Sequence, residues 1–199
     1  DYFLWVGAFV PYKRLDVALD AFGRLGLPLW VAGSGPGLNG VSRSAPSNVR
    51  ILGHVPDDEL AELYRGARAL VFTAEEDFGI APLEAQAAGR PVIAFRGGGA
   101  LETLTPQTAL FFSSQNADEL IASVRQLDSW EKSFDPMLAR ANASRFSKER
   151  FQRRFAKEVE RVLGRRPTTT KSATEMSVEA KDRTAVCEGP PAGADSGRI

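Results

Sequence analysis

The chain has 199 residues, with 25 Lys or Arg against 25 Asp or Glu, so its formal charge is zero. That length holds one ordinary domain with a real core, or two small ones, and the charge balance removes any global electrostatic case for nucleic acid. The lone cysteine, Cys187, excludes an internal disulfide framework and suits a reducing compartment, and no apolar run approaches the roughly 20 residues that span a bilayer.

Residue 1 is Asp and a strand starts at once, Tyr2 to Val6. The sequence therefore reads as the inside of a longer protein, cut at a domain boundary. Lys13 to Leu25 carries Leu15, Ala18, Leu19 and Phe22 at helical spacing. Leu29 to Ala32 is a second strand, ended by Gly33-Ser34-Gly35-Pro36-Gly37, and the next dozen residues read as loop. Val49 to Leu52 is a third strand. Asp57-Asp58-Glu59 puts acid into the first turn of a helix running to about Arg65. Then come a strand at Ala69 to Phe72, a helix at Pro82 to Ala88, a strand at Pro91 to Phe95 and a turn at Gly97-Gly98-Gly99. A short strand, Leu110 to Phe112, precedes a helix from Ala117 to Leu127, for which Asn116 and Glu119 form a capping box. Helices at Met137 to Ser144 and Lys148 to Leu163 follow. From Gly164 the composition turns to Pro, Thr, Ser, Gly and charge, so 164–199 is expected to be a disordered tail. Strands alternating with helices argue for a doubly wound parallel sheet, an α/β fold of Rossmann-like kind, over residues 1–163.

The segment Glu76-Asp77-Phe78-Gly79-Ile80-Ala81-Pro82-Leu83-Glu84 carries the chemistry. A strand that enters a glycine turn and opens a helix is where α/β sheets bind phosphate-bearing ligands. Amides at Phe78, Gly79 and Ile80 would lack helical acceptors and would meet an anion. Ionised carboxylates accept only, which suits the hydroxyls of sugars. A carboxylate pair also serves glycoside hydrolysis, but the nucleotide-type turn argues against that use. Gly33-Ser34-Gly35-Pro36 lacks the spacing and the lysine of a phosphate-binding loop of the Walker type. His54, the only histidine, reads as a partly exposed structural residue. No aspartate cluster demands a metal. The stretch from Arg145 to Arg166 is strongly basic and carries an apolar stripe at Phe146, Phe151, Phe155, Val159 and Val162. Packing on another domain explains that stripe. Attraction to anionic lipid is the second reading.

Three stretches together resemble one family. They are Val6-Gly7-Ala8-Phe9-Val10-Pro11-Tyr12-Lys13-Arg14, Val31-Ala32-Gly33-Ser34-Gly35-Pro36, and Glu75 through Ala94, with Gly97-Gly98-Gly99-Ala100-Leu101-Glu102-Thr103 in support. In this order and spacing they resemble the C-terminal, donor-binding domain of retaining group 1 (family 4) glycosyltransferases of the GT-B fold. The wording is closest to a subgroup associated with mannosyl transfer in bacterial polysaccharide assembly.

The resemblance implies a nucleotide diphosphate sugar as donor, with GDP-mannose favoured, and no cofactor. Glu76 would bond hydroxyls of the donor sugar, and Glu84 both ribose hydroxyls. Lys13, with Arg14 sharing, would neutralise the leaving diphosphate. Gly33 and Val55 would border the base, read by backbone groups. Ala8 departs from the family pattern, where an arginine often contacts the diphosphate. Gly97 to Gly99 and Glu102 would border the cleft. A missing N-terminal domain would supply the acceptor site, for a glycan or a lipid-linked acceptor. The expected location is cytoplasmic, with contact at the inner membrane face as an added possibility. Two other readings stay open: a sugar-nucleotide 2-epimerase of the same architecture, and a non-catalytic nucleotide-binding fragment.

Overall fold

A computed structural model describes residues 1–37, 40, 41, 43 and 45–164. Apart from Gly164, the expected tail lies outside the described residues. The chain divides into two compact units, 1–151 and 152–199.

In the first unit, β1 (Phe3–Val6), β2 (Leu29–Ala32), β3 (Val49–Gly53), β4 (Ala69–Phe72), β5 (Val92–Phe95) and β6 (Ala109–Phe112) form one sheet. Its order is β3-β2-β1-β4-β5-β6, and every neighbouring pair is parallel. The architecture is the doubly wound α/β sheet that the alternating pattern predicts. β1, β4 and β5 are short runs with almost no exposed position, so both faces of the sheet must be covered.

Alternation along the strands assigns the faces. Phe3 and Trp5 of β1 join Val31, Val71, Ile93 and Phe112 on one face, beneath the Leu15–Leu25 and Ala117–Trp130 helices. Leu4 joins Leu70, Phe72, Val92 and Ala94 on the other, beneath the Asp57–Gly66, Ile80–Ala87 and Ala100–Thr103 helices. Burying one such large side chain is worth about 1.5–3 kcal/mol, against a typical net stability of about 5–15 kcal/mol. Neither layer is dispensable.

The sheet order also creates the crevice. From β1 the chain steps outward to β2 and β3, then returns to place β4 on the other side of β1. Connections leaving the carboxyl ends of β1 and β4 therefore diverge, as at the switch point of any open α/β sheet.

Local differences from the sequence-based expectation have local causes. Lys13 does not open the first helix. It ends a 3₁₀ turn, Pro11–Lys13, and Arg14 at φ 51 separates that turn from the helix beginning at Leu15. The helix expected from Pro82 begins at Ile80, because Gly79 at φ 81 makes the turn two residues earlier. Gly40, Val41 and Arg43 are helical rather than loop, with the Val41 amide bonded to the Gly37 carbonyl at 3.0 Å. Asn116 Oδ1 accepts from the Glu119 amide at 3.0 Å, as a cap should. The Glu119 carboxylate instead accepts from the Ser113 amide, so the reciprocal half of the box is absent. That helix continues past Leu127 to Trp130, whose ring packs on Phe134. The short Ala100–Thr103 helix follows the glycine turn directly.

Of the second unit, the described part is the remainder of the Lys148–Val162 helix and the two residues after it. Phe155, Val159 and Val162 lie along one side of that helix and are exposed. Among the described residues no helix is long and apolar enough to cross a membrane.

Candidate active site

Two loops meet above the ends of β1 and β4. The first, after β1, carries Lys13 at the end of its 3₁₀ turn. Thr73, fully buried just after β4, holds that turn in place. Its Oγ1 donates to the Lys13 carbonyl at 2.8 Å and accepts from Trp5 Nε1 at 3.1 Å. Gln115 Nε2 donates to the Thr73 carbonyl at 2.8 Å. A buried hydroxyl satisfied as donor and as acceptor is a rigid peg. The Lys13 ammonium projects from it and donates to Glu76 Oε1. Both side chains are largely withdrawn from solvent, at 16% and 18% exposure, so this ion pair is less screened than a surface one.

The second loop, Thr73 to Gly79, carries Glu76. It is clamped from behind by Gly97-Gly98-Gly99. The Gly99 amide donates to the Glu76 carbonyl at 2.6 Å. A Cβ on Gly98 would lie 2.2 Å from that carbonyl oxygen, and one on Gly99 would lie 2.4 Å from the Phe78 Cα. The glycine run thus serves close approach of two backbones. A buried polar network supports the run. Thr103 Oγ1 donates to the Gly99 carbonyl at 2.9 Å, and Asn142 Nδ2 donates to Gln86 Oε1 at 2.6 Å and to the Thr103 carbonyl at 2.8 Å.

Gly79 then turns the chain into the Ile80–Ala87 helix. The amides of its first turn have no acceptor within the helix, and the positive end of the helix dipole lies there. Ile80 is 65% exposed, so nothing apolar seals this end. One turn on, Glu84 accepts a hydrogen bond from the Tyr64 hydroxyl at 2.7 Å. Burial, and then the charge of Glu84, push the ionisation of Tyr64 well above the ordinary tyrosine range. Arg140 packs over Gly89 just past the helix, its guanidinium near the Ala88 carbonyl, a favourable place for a cation.

Lys13, Glu76, Phe78, Gly79, Ile80 and Glu84 all line one cavity of about 660 Å³. Gly33 and Val55 line a neighbouring cavity of about 290 Å³, with Ala8, Ser34 and His54. The two cavities share Val6 and Gly7 at the end of β1. Arg14 stands apart from both. Its guanidinium bonds Asp16 at 3.0 Å, and its side chain lines a different cavity with Phe9 and Leu15. The αL backbone at Arg14 sends consecutive residues, Lys13 and Arg14, in different directions. Thr73, Gln115, Tyr64 and Tyr12 complete the site and carry no local signature. Tyr64 sits four after Leu60 and reads as an ordinary core position. Among the described residues no group of three or more His, Cys, Asp or Glu has metal-binding geometry.

A parallel sheet of this order, with acidic and basic side chains gathered at its switch point, is one half of the GT-B fold. The family model for group 1 glycosyl transferases matches residues 1–129, and the chain belongs to that family. O-antigen chain mannosyltransferase C of Escherichia coli is 39% identical over 100 residues, covering 47% of this chain and 27% of that protein. The GDP-mannose-dependent monoacylated alpha-(1-6)-phosphatidylinositol monomannoside mannosyltransferase of Corynebacterium glutamicum is 32% identical over 127 residues, 56% of this chain and 33% of that one. This chain thus spans a third or less of the length of these two relatives. Among solved structures, sucrose-phosphate synthase from Thermosynechococcus elongatus superposes with a TM-score of 0.72 at 24% identity, over 82% of this chain and 45% of that one.

Proposed function

We propose that this chain is the donor-binding half of a retaining hexosyltransferase that moves a sugar, mannose for preference, from a nucleotide diphosphate carrier to an acceptor hydroxyl. One observation carries the reading: Lys13, Glu76, Glu84 and the start of the Ile80 helix face a single cavity. The diphosphate rests on the amides at Gly79 and Ile80, where partial positive charge already exists. Lys13 adds a full charge that grows in value as the sugar–phosphate bond breaks. Glu76 holds hydroxyls of the transferring sugar, and Glu84 accepts from the ribose. The base occupies the smaller cavity near Gly33 and Val55.

The Lys13–Glu76 pair gives this site an order of events. With no anion present, each side chain is the other's partner. An arriving diphosphate competes for the ammonium and releases the carboxylate toward the sugar. Charge is then redistributed between protein groups and donor, and neither side chain is left buried and unpaired. With Ala8 in the smaller cavity, the cationic contribution from this loop falls mainly on Lys13. The mannosyltransferase names of the two relatives support mannose, and the GDP-mannose dependence in the name of the Corynebacterium glutamicum relative supports a guanine nucleotide. The acceptor site, a glycan or lipid-linked acceptor, and a cytoplasmic position at the membrane's inner face belong to the same reading and depend on the partner domain.

The test is transfer by the full-length gene product across a panel of GDP- and UDP-sugars, with the product anomer assigned by NMR. GDP-mannose is expected to be the best donor, with the anomeric configuration kept. Lys13→Ala should lower kcat by about a hundredfold or more, as loss of a group facing developing charge does. Failure of every nucleotide sugar to bind, or unchanged transfer in Lys13→Ala and Glu76→Gln, would overturn the reading.

A further inference from the structure

The Tyr64–Glu84 bond joins two unlike residues. Tyr64 is core: it is 4% exposed and packs among Leu4, Leu70 and Phe72. Glu84 is exposed, and it divides the 660 Å³ cleft from a groove of about 430 Å³ between the Asp57–Gly66 and Ile80–Ala87 helices. A surface glutamate has several staggered rotamers and would sample both spaces. The Tyr64 hydroxyl removes that freedom. It comes from a ring locked in the core, and it donates to Oε2 at 2.7 Å. Among the described residues no second group bonds this carboxylate, so Oε1 and the second lone pair of Oε2 remain available, which is the capacity needed to accept from two adjacent hydroxyls.

The geometry points to Tyr64 as a positioning residue, whose hydroxyl fixes the Glu84 carboxylate in readiness for the vicinal hydroxyls of a ribonucleotide. The inference rests on the reading that Glu84 holds the donor's ribose. Ordering a long side chain before the ligand arrives lowers the entropy cost of binding. The phenol remains a donor across any ordinary assay pH, since burial opposes its ionisation.

Calorimetry on the full-length gene product separates the two ideas. GDP and UDP are each compared with their 2′,3′-dideoxy forms, in the unchanged chain, in Tyr64→Phe and in Glu84→Gln. The unchanged chain should prefer the ribo form, and Glu84→Gln should reduce that preference. Tyr64→Phe, which removes one oxygen and keeps the ring, should weaken the ribo form by about tenfold and the dideoxy form by less than about twofold. Equal weakening of both forms, or none, with the preference retained, overturns the role of Tyr64 and leaves that of Glu84 standing. A chain that binds both forms equally, or neither nucleotide, overturns both. Melting curves report whether Tyr64→Phe is folded. Should it not be, 3-fluorotyrosine at position 64 keeps the core volume and strengthens the donor, and the ribo preference must then shift while dideoxy binding does not.

Discussion

Two glycine turns flank the cleft, and they look alike in sequence: Gly33-Ser34-Gly35-Pro36-Gly37 after β2, and Gly97-Gly98-Gly99 after β5. Both face a neighbouring loop, yet for different ends. The first presses on the loop after β1. A Cβ on Gly33 would sit 1.8 Å from the Gly7 carbonyl oxygen, and one on Gly35 would sit 2.8 Å from the Phe9 amide. It also lines the smaller cavity. The second presses on the loop after β4, against Glu76 and Phe78. The first therefore shapes a wall of the site, while the second sets the height of a charged side chain. In both, glycine answers the approach of protein to protein. A run of glycines beside a binding cleft is thus weak evidence that the ligand itself touches it.

Graded substitutions can break or sharpen this contrast. Gly33→Ala should have the largest effect. Both its φ of 143 and the overlap with Gly7 forbid a side chain, and neither obstacle is a movable side chain. A loss of about 4 kcal/mol or more is expected, visible as failure to fold or a drop in melting temperature of about 10 °C or more. Gly99→Ala should cost about 2–3 kcal/mol. It should also lower kcat in the full-length enzyme, because the backbone carrying Glu76 must move. Asn142→Ala should cost about 2 kcal/mol by leaving the Thr103 carbonyl and Gln86 short of a donor, with a smaller loss of activity relayed through Gly99. Gly26→Ala is the control. Gly26 has φ 69 at the end of a helix, with nothing within 4 Å of an added Cβ, so only conformational strain remains, about 1 kcal/mol. Gly99 itself has φ −62, so a loss there no larger than at Gly26 would show that close approach does not constrain the second turn.

What was legible in the sequence was local. Glu76, Gly79, Ile80 and Glu84 fall within nine consecutive residues, and a strand, a turn and a helix dictate their relation. The parallel sheet covered by helices on both faces followed from the alternation of apolar runs and helical spacings; the order of its strands did not. What stayed hidden was long-range. Lys13 and Glu76 are 63 positions apart, and nothing in either loop announces that they pair. Thr73 looks like the end of a strand and Tyr64 like packing, since a buried hydroxyl acquires meaning only from the group it faces. The sequence ranks Lys13 ahead of Arg14 but does not show where Arg14 goes, because a single left-handed residue changes a direction without changing composition.

The Trp5–Thr73–Lys13 chain gives the protein a natural optical reporter. Indole emission responds to whatever its N–H is bonded to, and here that partner is one hydroxyl away from the lysine turn. Any nucleotide that tugs on Lys13 should therefore be visible as a change in the colour or brightness of Trp5, with no label attached. Trp5→Phe would extinguish that signal and leave the emission of Trp30 and Trp130 as background.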